Sequence, residues 1–411
     1  MPRVWDVPVH DSTRVRDARV AAEQAAALAG LDERRTASAA LVATELATNL
    51  LKHADGGQVL IDVVTPPVLP AGGEAPRVVQ IAAIDHGAGI ADVPAALRDG
   101  FSTAGSLGAG LGTCLRTADD FGLHSTPGRG TVALARIGAV AAGGRGGRGP
   151  APDEGASGSP AGPAHGPVPP GPPAGVAYGS AAAGAASSGP SPGTPRGPSA
   201  APGTPSTPPY EVRAGGVNVP FRGGDYSGDA WAWVRSADRV TLMLADGLGH
   251  GPEAARASTA AVAALREAAG LGPGEVLRRL DTALSGTRGA AVAVAQVDVR
   301  AGRLRFAGVG NVGARLCRDG AWRHLMSRPG IVGVHRHATV REEETGWGPG
   351  GLLVMHTDGL PSRWTPPSDA GLWDADPAVA AAVTLRDAGS GARPVRDDTA
   401  VAVLSAGRAR A

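Results

Sequence analysis

The sequence predicts two mixed α/β domains joined by a disordered linker, and three observations carry that expectation. The chain has 411 residues, more than a single domain usually holds. From about Ala139 to Pro209 it is almost entirely Gly, Ala, Pro and Ser. Such a stretch cannot bury enough apolar surface to offset its ordering entropy. The segments on either side are of ordinary domain size and mix helix-like stretches with short apolar runs. The expected boundaries are residues 1–138 for the first domain, 139–209 for the linker, 210–406 for the second domain and 407–411 for a tail.

Composition narrows the function classes. The formal net charge is only +1, which gives no strong pull toward nucleic acid or a membrane surface. Aromatic residues make up 3% of the chain, while Ala, Gly, Pro and Arg are heavily used. That bias fits a GC-rich coding sequence and dilutes compositional signals. Cys114 and Cys317 lie far apart and read as free thiols of a reducing compartment rather than a disulfide framework. No apolar run approaches the length of a membrane span. The opening MPRVWDVPVHDSTRVRD lacks the apolar core of a signal peptide. The expectation is a soluble cytoplasmic protein.

In the first domain, Asp11 or Ser12 caps a helix that stops near Gly30. A second helix runs from about Asp32 to Ala54 and ends at Asp55-Gly56-Gly57. QVLIDVV (58–64) and RVVQIAAI (77–84) have strand character and are joined by a Pro/Gly loop. Residues 107–121 read as a helix and TVALARI (131–137) as a last strand. In the second domain, strands are expected at 229–235, 239–245, 290–299, 303–309, 312–318, 351–357 and 399–405. Helices fit Pro252–Ala269 and Pro273–Ser285. Strands on both sides of a helical pair predict sheets packed together with helices outside.

Three segments of the first domain carry chemistry. In ELATNLLKHA, Glu45, Asn49 and His53 recur every fourth residue and share one helix face; a solvated polar stripe has the same spacing. In IAAIDHGAGI, Asp85 ends a buried strand, where its carboxylate can accept a hydrogen bond from an exocyclic amine such as adenine's. Gly87 and Gly89 let the backbone approach a ligand closely. In GSLGAGLGTCLRTADD, Gly105, Gly108, Gly110 and Gly112 lead into a helix whose N–H groups suit phosphate oxygens. A dinucleotide fingerprint does not fit, because no long strand directly precedes these glycines and no acid follows at the required distance.

In this order the three segments resemble the GHKL (Bergerat) ATP-binding fold over about residues 1–138. More narrowly they resemble the anti-sigma-factor serine kinases of the RsbT and SpoIIAB type. The resemblance implies an α/β sandwich that binds ATP with Mg²⁺. In it Glu45 would be a general base, Asn49 a Mg²⁺ ligand and Asp85 the reader of adenine. Gly87, Gly89, Gly108, Gly110 and Gly112 would line the nucleotide and its lid, and Thr131, in GRGT, would lie near the adenine. No histidine-kinase dimerisation helix or phospho-acceptor His precedes this module, so His53 and His86 read as structural.

In the second domain four aspartates stand in turn-like settings between apolar runs. They are Asp229 (SGDAWAW), Asp246 (LMLADGLGHG), Asp358 (LLVMHTDGL) and Asp397 (RDDTAVAVL). Asp-Gly pairs are ordinary turn residues. Carboxylates just past buried strands are nevertheless costly unless something positive meets them, and hard divalent cations with oxygen ligands are the usual partner. A hairpin would bring Asp229 and Asp246 together, and Gly247 could turn its carbonyl toward a metal. Asp225 competes with Asp229 for the first position, and Asp398 with Asp397 for the last.

These segments resemble the metal-dependent protein phosphatases (PPM, type 2C) of the SpoIIE and RsbX branch, over about residues 210–406. The resemblance implies an αββα sandwich holding two Mg²⁺ or Mn²⁺ ions. Asp246 would bridge them, with Asp229, the Gly247 carbonyl, Asp358 and Asp397 completing the set. It also implies hydrolysis of phosphoserine or phosphothreonine by water, without a phospho-enzyme. No basic residue stands out by pattern as the phosphate partner, and Arg222 is a candidate only by position. His335 and His337 (VHRHA) have a metal-like spacing in loop-like surroundings, and His250 reads as a turn residue near the site. Asn311, in GVGNVGARL, reads as part of a tight turn. Trp231, Trp233, Trp322, Trp347 and Trp364 read as packing residues.

A kinase-like domain tethered to a phosphatase-like domain suggests opposing activities on one circuit, since tethering raises the local concentration of each near the other's partner. The resemblance implies a bifunctional regulator of a partner-switching system. Its phosphoprotein substrate would be a STAS-domain anti-sigma-factor antagonist, with a sigma factor as a further partner, and neither nucleic acid nor membrane is expected. Two other readings stay open: a phosphatase whose first domain only senses ATP, and a non-enzymatic protein that captures a sigma factor.

Overall fold

The computed structural model describes residues 3–65, 76–97, 110–139, 210–334, 340–367, 369, 371–389 and 397–408. The expected linker from residue 140 on, Gly105, Gly108, His335 and His337 lie outside them. Asp11 and Asp32 start the two long helices of the first domain, α1 (Ser12–Ala29) and α2 (Glu33–His53). The Asp11 carboxylate accepts from the Thr13 N–H at 2.8 Å, and that of Asp32 from the Arg35 N–H at 2.7 Å. Both satisfy donors that a helix start leaves free. Gly30, at φ +75°, closes α1.

The strands of this domain are β1 (Val4–Val9), β2 (Gly57–Val64), β3 (Val78–Ile84), β4 (Asp120–Thr126) and β5 (Gly130–Gly138). They form one antiparallel sheet in the order β1-β2-β3-β5-β4. Two shorter helices, α3 (Val93–Ala96) and α4 (Gly110–Thr117), lie between β3 and β4. α1 and α2 cover one face of the sheet, where Ala43, Leu46 and Leu50 meet Val59, Ile61 and Ile81. The helix expected over residues 107–121 stops at Thr117, and Phe121 belongs to β4. The Asp119 N–H donates to the Arg136 carbonyl at 2.9 Å, and the Asp119 carboxylate accepts from the Gly138 N–H at 2.7 Å. Pairing with β5 captures the chain there, so a tertiary ladder overrides local propensity. Neither β1 nor β4 was anticipated from the sequence.

The second domain runs through β6 (Tyr210–Val219), β7 (Asp229–Ser236), β8 (Arg239–Gly247), α5 (Pro252–Glu267), α6 (Pro273–Ala283), β9 (Ala290–Asp298), β10 (Arg303–Val309), β11 (Gly313–Arg318), β12 (Ala321–Leu325), β13 (Glu343–Gly346), β14 (Leu352–His356), α7 (Gly371–Asp374), α8 (Pro377–Ala388) and β15 (Thr399–Arg408). Its two antiparallel sheets have the orders β13-β10-β9-β8-β7 and β12-β11-β14-β15-β6. Leu242, Leu244 and Phe306 of the first sheet pack against Leu353, Met355 and Leu404 of the second. α5 and α6 cover the outer face of the first sheet through Leu265 and Leu280. α8 covers the outer face of the second through contacts with Val217, Val401 and Val403. The result is the expected pair of sheets with helices outside. β15 continues to Arg408, pairing with Tyr210, past the residue where the second domain was expected to end.

α8 was not anticipated, because every residue from Pro377 to Arg386 is buried. A helix buried on all sides shows no amphipathic stripe. Its second neighbour is the free face of the first domain's sheet: Leu60, Ala82, Ile84, Val132 and Leu134 share one apolar cluster with Val379 and Val383. Polar ties cross the same boundary. Gln80 Nε2 donates to the Gly216 carbonyl at 2.9 Å, and Arg136 holds Asp376 through two hydrogen bonds of 2.7 and 2.8 Å. No helix of the described residues is long and apolar enough to cross a membrane.

Asp376 also caps α8, accepting from the Ala378 N–H at 2.8 Å. Burial pushes its carboxyl up, but the Arg136 hydrogen bonds and charge, the Ala378 N–H and Arg213 more than offset this and hold it below the ordinary 3.8. A depressed folded value adds stability above the unfolded pKa and loses it as pH falls through the folded one. Asp376→Asn is therefore expected to destabilise the protein at neutral pH by about 3 kcal/mol, as for one broken partly buried ion pair. The gap between wild type and variant should be constant above pH 4 and close below it. Urea unfolding at stepped pH measures this; a gap that does not shrink in acid would remove the ion pair as its cause.

Candidate functional sites

In the first domain, Glu45 and Asn49 stand one turn apart on α2, and α4 begins against them. A Cβ at Gly110 would lie 3.1 Å from Glu45 Oε2 and 3.2 Å from Asn49 Oδ1, so a glycine lets the two helices close at this point. Asp85 follows β3. Its Oδ1 accepts from the Gly87 N–H at 2.8 Å and the Thr131 N–H at 3.1 Å, while its own N–H donates to the Thr131 carbonyl at 3.0 Å. Its other carboxylate oxygen takes no hydrogen bond from a described residue. Gly130 has φ +100° and is pressed on the Asp85 carbonyl, so a side chain there has neither the backbone angle nor the room.

Glu45, Asn49, Asp85, Gly89, Gly110 and Thr131 line one cavity of about 490 Å³. Gly87 and Gly112 are not among the lining residues: the Gly87 N–H is held by Asp85, and Gly112 is buried within α4. His53 lines the cavity at its rim with Lys52, a cation that the sequence reading passed over. His86 turns away instead, its Nε2 lying 3.0 Å from the Arg386 carbonyl oxygen. Cys114 on α4 is buried and free, and burial together with the charge of Glu45 pushes its thiol up to about 12.

In the second domain the turn at Ala237-Asp238 sets a register in which Asp229 faces Asp246 directly. Asp229 is only 1% exposed. Burial and then the charge of Asp246 push its carboxyl well up. Asp246 is pushed up to about 7 by burial, then by Asp358, Asp397 and Asp398. Asp358 is raised by burial and Asp397. Carboxylates from β7, β8 and the segments after β14 and before β15 thus act on one another at one end of the sandwich. Among the described residues no three His, Cys, Asp or Glu side chains form a ready-made metal cage. The acids share a field without being drawn into a ring.

The two open alternatives differ in what holds them. Asp225 is 68% exposed at its side chain and pairs with Arg3 of the first domain at 3.0 Å. Asp229 faces the cluster instead. Both oxygens of Asp398 are occupied by backbone donors, the Phe221 N–H at 2.7 Å and the Gly228 N–H at 2.8 Å. Asp397 is exposed, and its carboxylate accepts from the Asp398 N–H at 2.9 Å. Gly247 is packed so closely on the Ala254 carbonyl of α5 that only glycine fits.

Two functional neighbours escaped the sequence reading. Thr357, fully buried, donates from Oγ1 to Asp229 Oδ2 at 2.7 Å and accepts from the Ala400 N–H at 2.9 Å. Asn311, read as a turn residue, donates from Nδ2 to Asp358 Oδ2 at 2.7 Å. The signal for Thr357 was its place beside Asp358; for Asn311 there was only a glycine-flanked polar residue after a strand. Arg222 lies over the Phe221 ring at 5.1 Å, and that ring lies 6.1 Å from His250. Arg288 reaches the residue before His250: a Cβ at Gly249 would lie 3.2 Å from its Nη1.

Residues 9–136 match the family described as histidine kinase-like ATPase domain, and residues 236–406 match the family described as Stage II sporulation protein E (SpoIIE). The chain thus joins a histidine kinase-like ATPase domain to a SpoIIE-type domain. It is similar to the serine/threonine-protein kinase RsbT of Bacillus subtilis (strain 168), with 40% identity over 88 residues, which are 21% of this chain and 61% of that protein. The chain therefore spans less than two thirds of that relative's length. Among solved structures it is similar to RsbX in complex with magnesium, at 18% identity over 49% of this chain and 98% of that one, TM-score 0.42. It is likewise similar to the PP2C phosphatase domain, with a fragment of the regulatory domain, of SpoIIE from Bacillus subtilis. The values there are 20% identity, 50% of this chain, 66% of that one and a TM-score of 0.42.

The resemblance of the second domain to metal-dependent phosphatases implies divalent cations, and the match to a histidine kinase-like ATPase domain implies ATP. The residues present fit both. The acid cluster offers only oxygen donors, which suit Mg²⁺ and Mn²⁺, and its buried charges repel one another until a cation meets them. At the cavity, Asn49 Nδ2 is buried with no hydrogen-bond partner among the described residues, a polar atom left for a ligand to satisfy.

Proposed function

We propose that the chain is a bifunctional regulator of a partner-switching circuit in the cytoplasm: a metal-dependent phosphoserine/phosphothreonine phosphatase that also carries an ATP-dependent serine kinase-like domain. The observation that carries the phosphatase half is Asp229 facing Asp246 in the β7–β8 register, within the field of Asp358 and Asp397. Asp229, Asp246, the Gly247 carbonyl, Asp358 and Asp397 would hold two divalent cations, which polarise the phosphate and make water a nucleophile near neutral pH. Thr357 and Asn311 fix the orientation of Asp229 and Asp358. Arg288, beside Gly249, and Arg222, over Phe221, are our candidates for the cations that would meet a substrate phosphate.

In the first domain Asp85 would take the adenine amine, Asn49 would hold Mg²⁺ against the phosphates, and Glu45 would accept the proton of a serine hydroxyl on a partner. Gly87, Gly89, Gly110, Gly112 and, outside the described residues, Gly108 would supply close backbone approach. The similarity to the serine/threonine-protein kinase RsbT supports a serine or threonine of a partner protein as the substrate, and the resemblance to anti-sigma-factor kinases makes a STAS-domain anti-sigma-factor antagonist the candidate. Two buried free thiols suit a reducing compartment.

The test is phosphate release from a phosphorylated STAS-domain protein by the full chain with Mn²⁺. Release by wild type supports the reading; no release at any metal concentration overturns it. Thr357→Val is expected to leave the protein folded but to weaken its apparent Mn²⁺ affinity by about 10–100-fold, as for other partners that orient a ligand. Metal titrations of initial rate check this, and an unchanged midpoint would strip Thr357 of that role.

A further inference from the structure

The nucleotide cavity and the second domain share a set of side chains. Arg386, near the end of α8, is 2% exposed although it carries a charge. Its Nη1 donates to the Gly130 carbonyl at 2.9 Å, its Nη2 to Thr126 Oγ1 at 3.4 Å and its Nε to Asp387 Oδ1 at 2.9 Å. Two of these three acceptors belong to the other domain. They flank the turn between β4 and β5, and Gly130 directly precedes Thr131. The same residue's carbonyl oxygen meets His86 Nε2 at 3.0 Å, and His86 follows Asp85. Asp387 reaches back as well, pairing with Arg129 at 3.2 Å. One turn of α8 therefore grips both chain segments that build the adenine end of the cavity.

What Arg386 holds has little play. Besides its contact with Arg386, the Gly130 carbonyl accepts from Ser125 Oγ at 3.3 Å. Ser125 Oγ also meets Thr131 Oγ1 at 2.8 Å and accepts from the Ile90 N–H at 2.7 Å. The Thr131 N–H is one of the two donors that orient Asp85. A buried guanidinium is tolerated only while its acceptors stay in place. The turn and the helix end thus fix each other, and neither can shift without stranding a charge.

We infer that α8 of the phosphatase domain supplies a positioning residue of the nucleotide site. Arg386 holds the Gly130 carbonyl and the Thr126 hydroxyl, and through them the Thr131 N–H that orients the Asp85 carboxylate. Adenine-nucleotide binding and the seating of α8 are then linked energetically, and the link is reciprocal: whatever loosens α8 weakens nucleotide, and nucleotide tightens α8. The inference rests on the reading of the cavity as an adenine-nucleotide site.

The experiment uses the full chain and MgADP. Calorimetric affinities are compared for wild type, Arg386→Ala and Arg386→Lys, with GDP as the base control and melting curves as the check on folding. Arg386→Ala is expected to lose about tenfold in ADP affinity, within the usual range of such couplings, and to lose its preference for ADP over GDP. Arg386→Lys should recover part of both, since an ammonium can replace one of the fork's bonds. Amide exchange on wild type supplies a readout without any variant: ADP should slow exchange across 377–388 several-fold.

A folded Arg386→Ala protein with unchanged ADP affinity and base preference overturns the inference. So does ADP binding to wild type with no change in exchange over α8, and that result leaves the nucleotide site itself standing. Failure of wild type to bind ADP at all overturns both. If Arg386→Ala does not fold, the lysine variant and the wild-type exchange decide.

Discussion

Replacing Asp246 by Asn is expected to abolish phosphate release while raising the melting temperature of the chelator-treated protein. The two effects have one cause. Asp246 is pushed up to about 7 by burial and by three neighbouring acids, so at pH 8 its negative charge is held in place against both. The amide has nearly the same shape and no charge, which relieves Asp229, Asp358, Asp397 and Asp398 together. It would also take away one of the carboxylate oxygens proposed to hold the cations. Residues that merely orient a metal ligand cost about 10–100-fold when lost, so the loss at Asp246 should exceed about 100-fold in rate at saturating Mn²⁺. Without divalent cations the variant should melt several degrees higher than wild type, and with Mn²⁺ the order should reverse. Phosphate release and calorimetry with and without chelator read both. A variant that melts lower than wild type in chelator would mean that the Asp246 carboxylate makes favourable contacts of its own, and the metal reading of the cluster would lose its physical basis.

How much of this was legible in the sequence depends on how far along the chain each contact reaches. The β7–β8 hairpin was plain, because alternating apolar residues and a short turn fix the register, and the register puts Asp229 opposite Asp246. The capped starts and ends of α1 and α2 were plain for local reasons as well. β4 was hidden because a helix-like pattern runs into it and only pairing with β5 decides its state. α8 was hidden because AVAAAVTL is apolar on every side, a consequence of lying between two sheets that no local pattern announces. Contacts that tie the domains join residues 240 positions apart at Arg136–Asp376, 256 at Arg386–Gly130 and 300 at His86–Arg386. No spacing rule spans such separations. Thr357 and Asn311 were missed for a related reason: a neutral donor beside a carboxylate looks like any turn residue until the fold shows which acid it touches.

Glu45→Gln should separate catalysis from binding in the first domain. Glu45 and Asn49 are both in contact with the start of α4, and the charge of Glu45 is felt by the Cys114 thiol on that helix. The glutamine keeps the shape and the contact with Gly110 but cannot accept a proton. Asn49 and Asp85, the expected Mg²⁺ and adenine partners, are untouched. MgADP affinity should therefore stay within about threefold of wild type, while phosphate transfer to a STAS-domain protein should fall by about 10²–10⁴-fold, the usual contribution of a positioned general base. Radiolabelled transfer and calorimetry on the same preparations measure the two sides. If ADP affinity falls as far as transfer does, Glu45 acts in binding and not as a base. If wild type binds MgADP but transfers no phosphate to any STAS-domain protein offered, the first domain is a nucleotide sensor for the phosphatase, and the buried contacts of α8 with the adenine turn become the route by which the sensor acts.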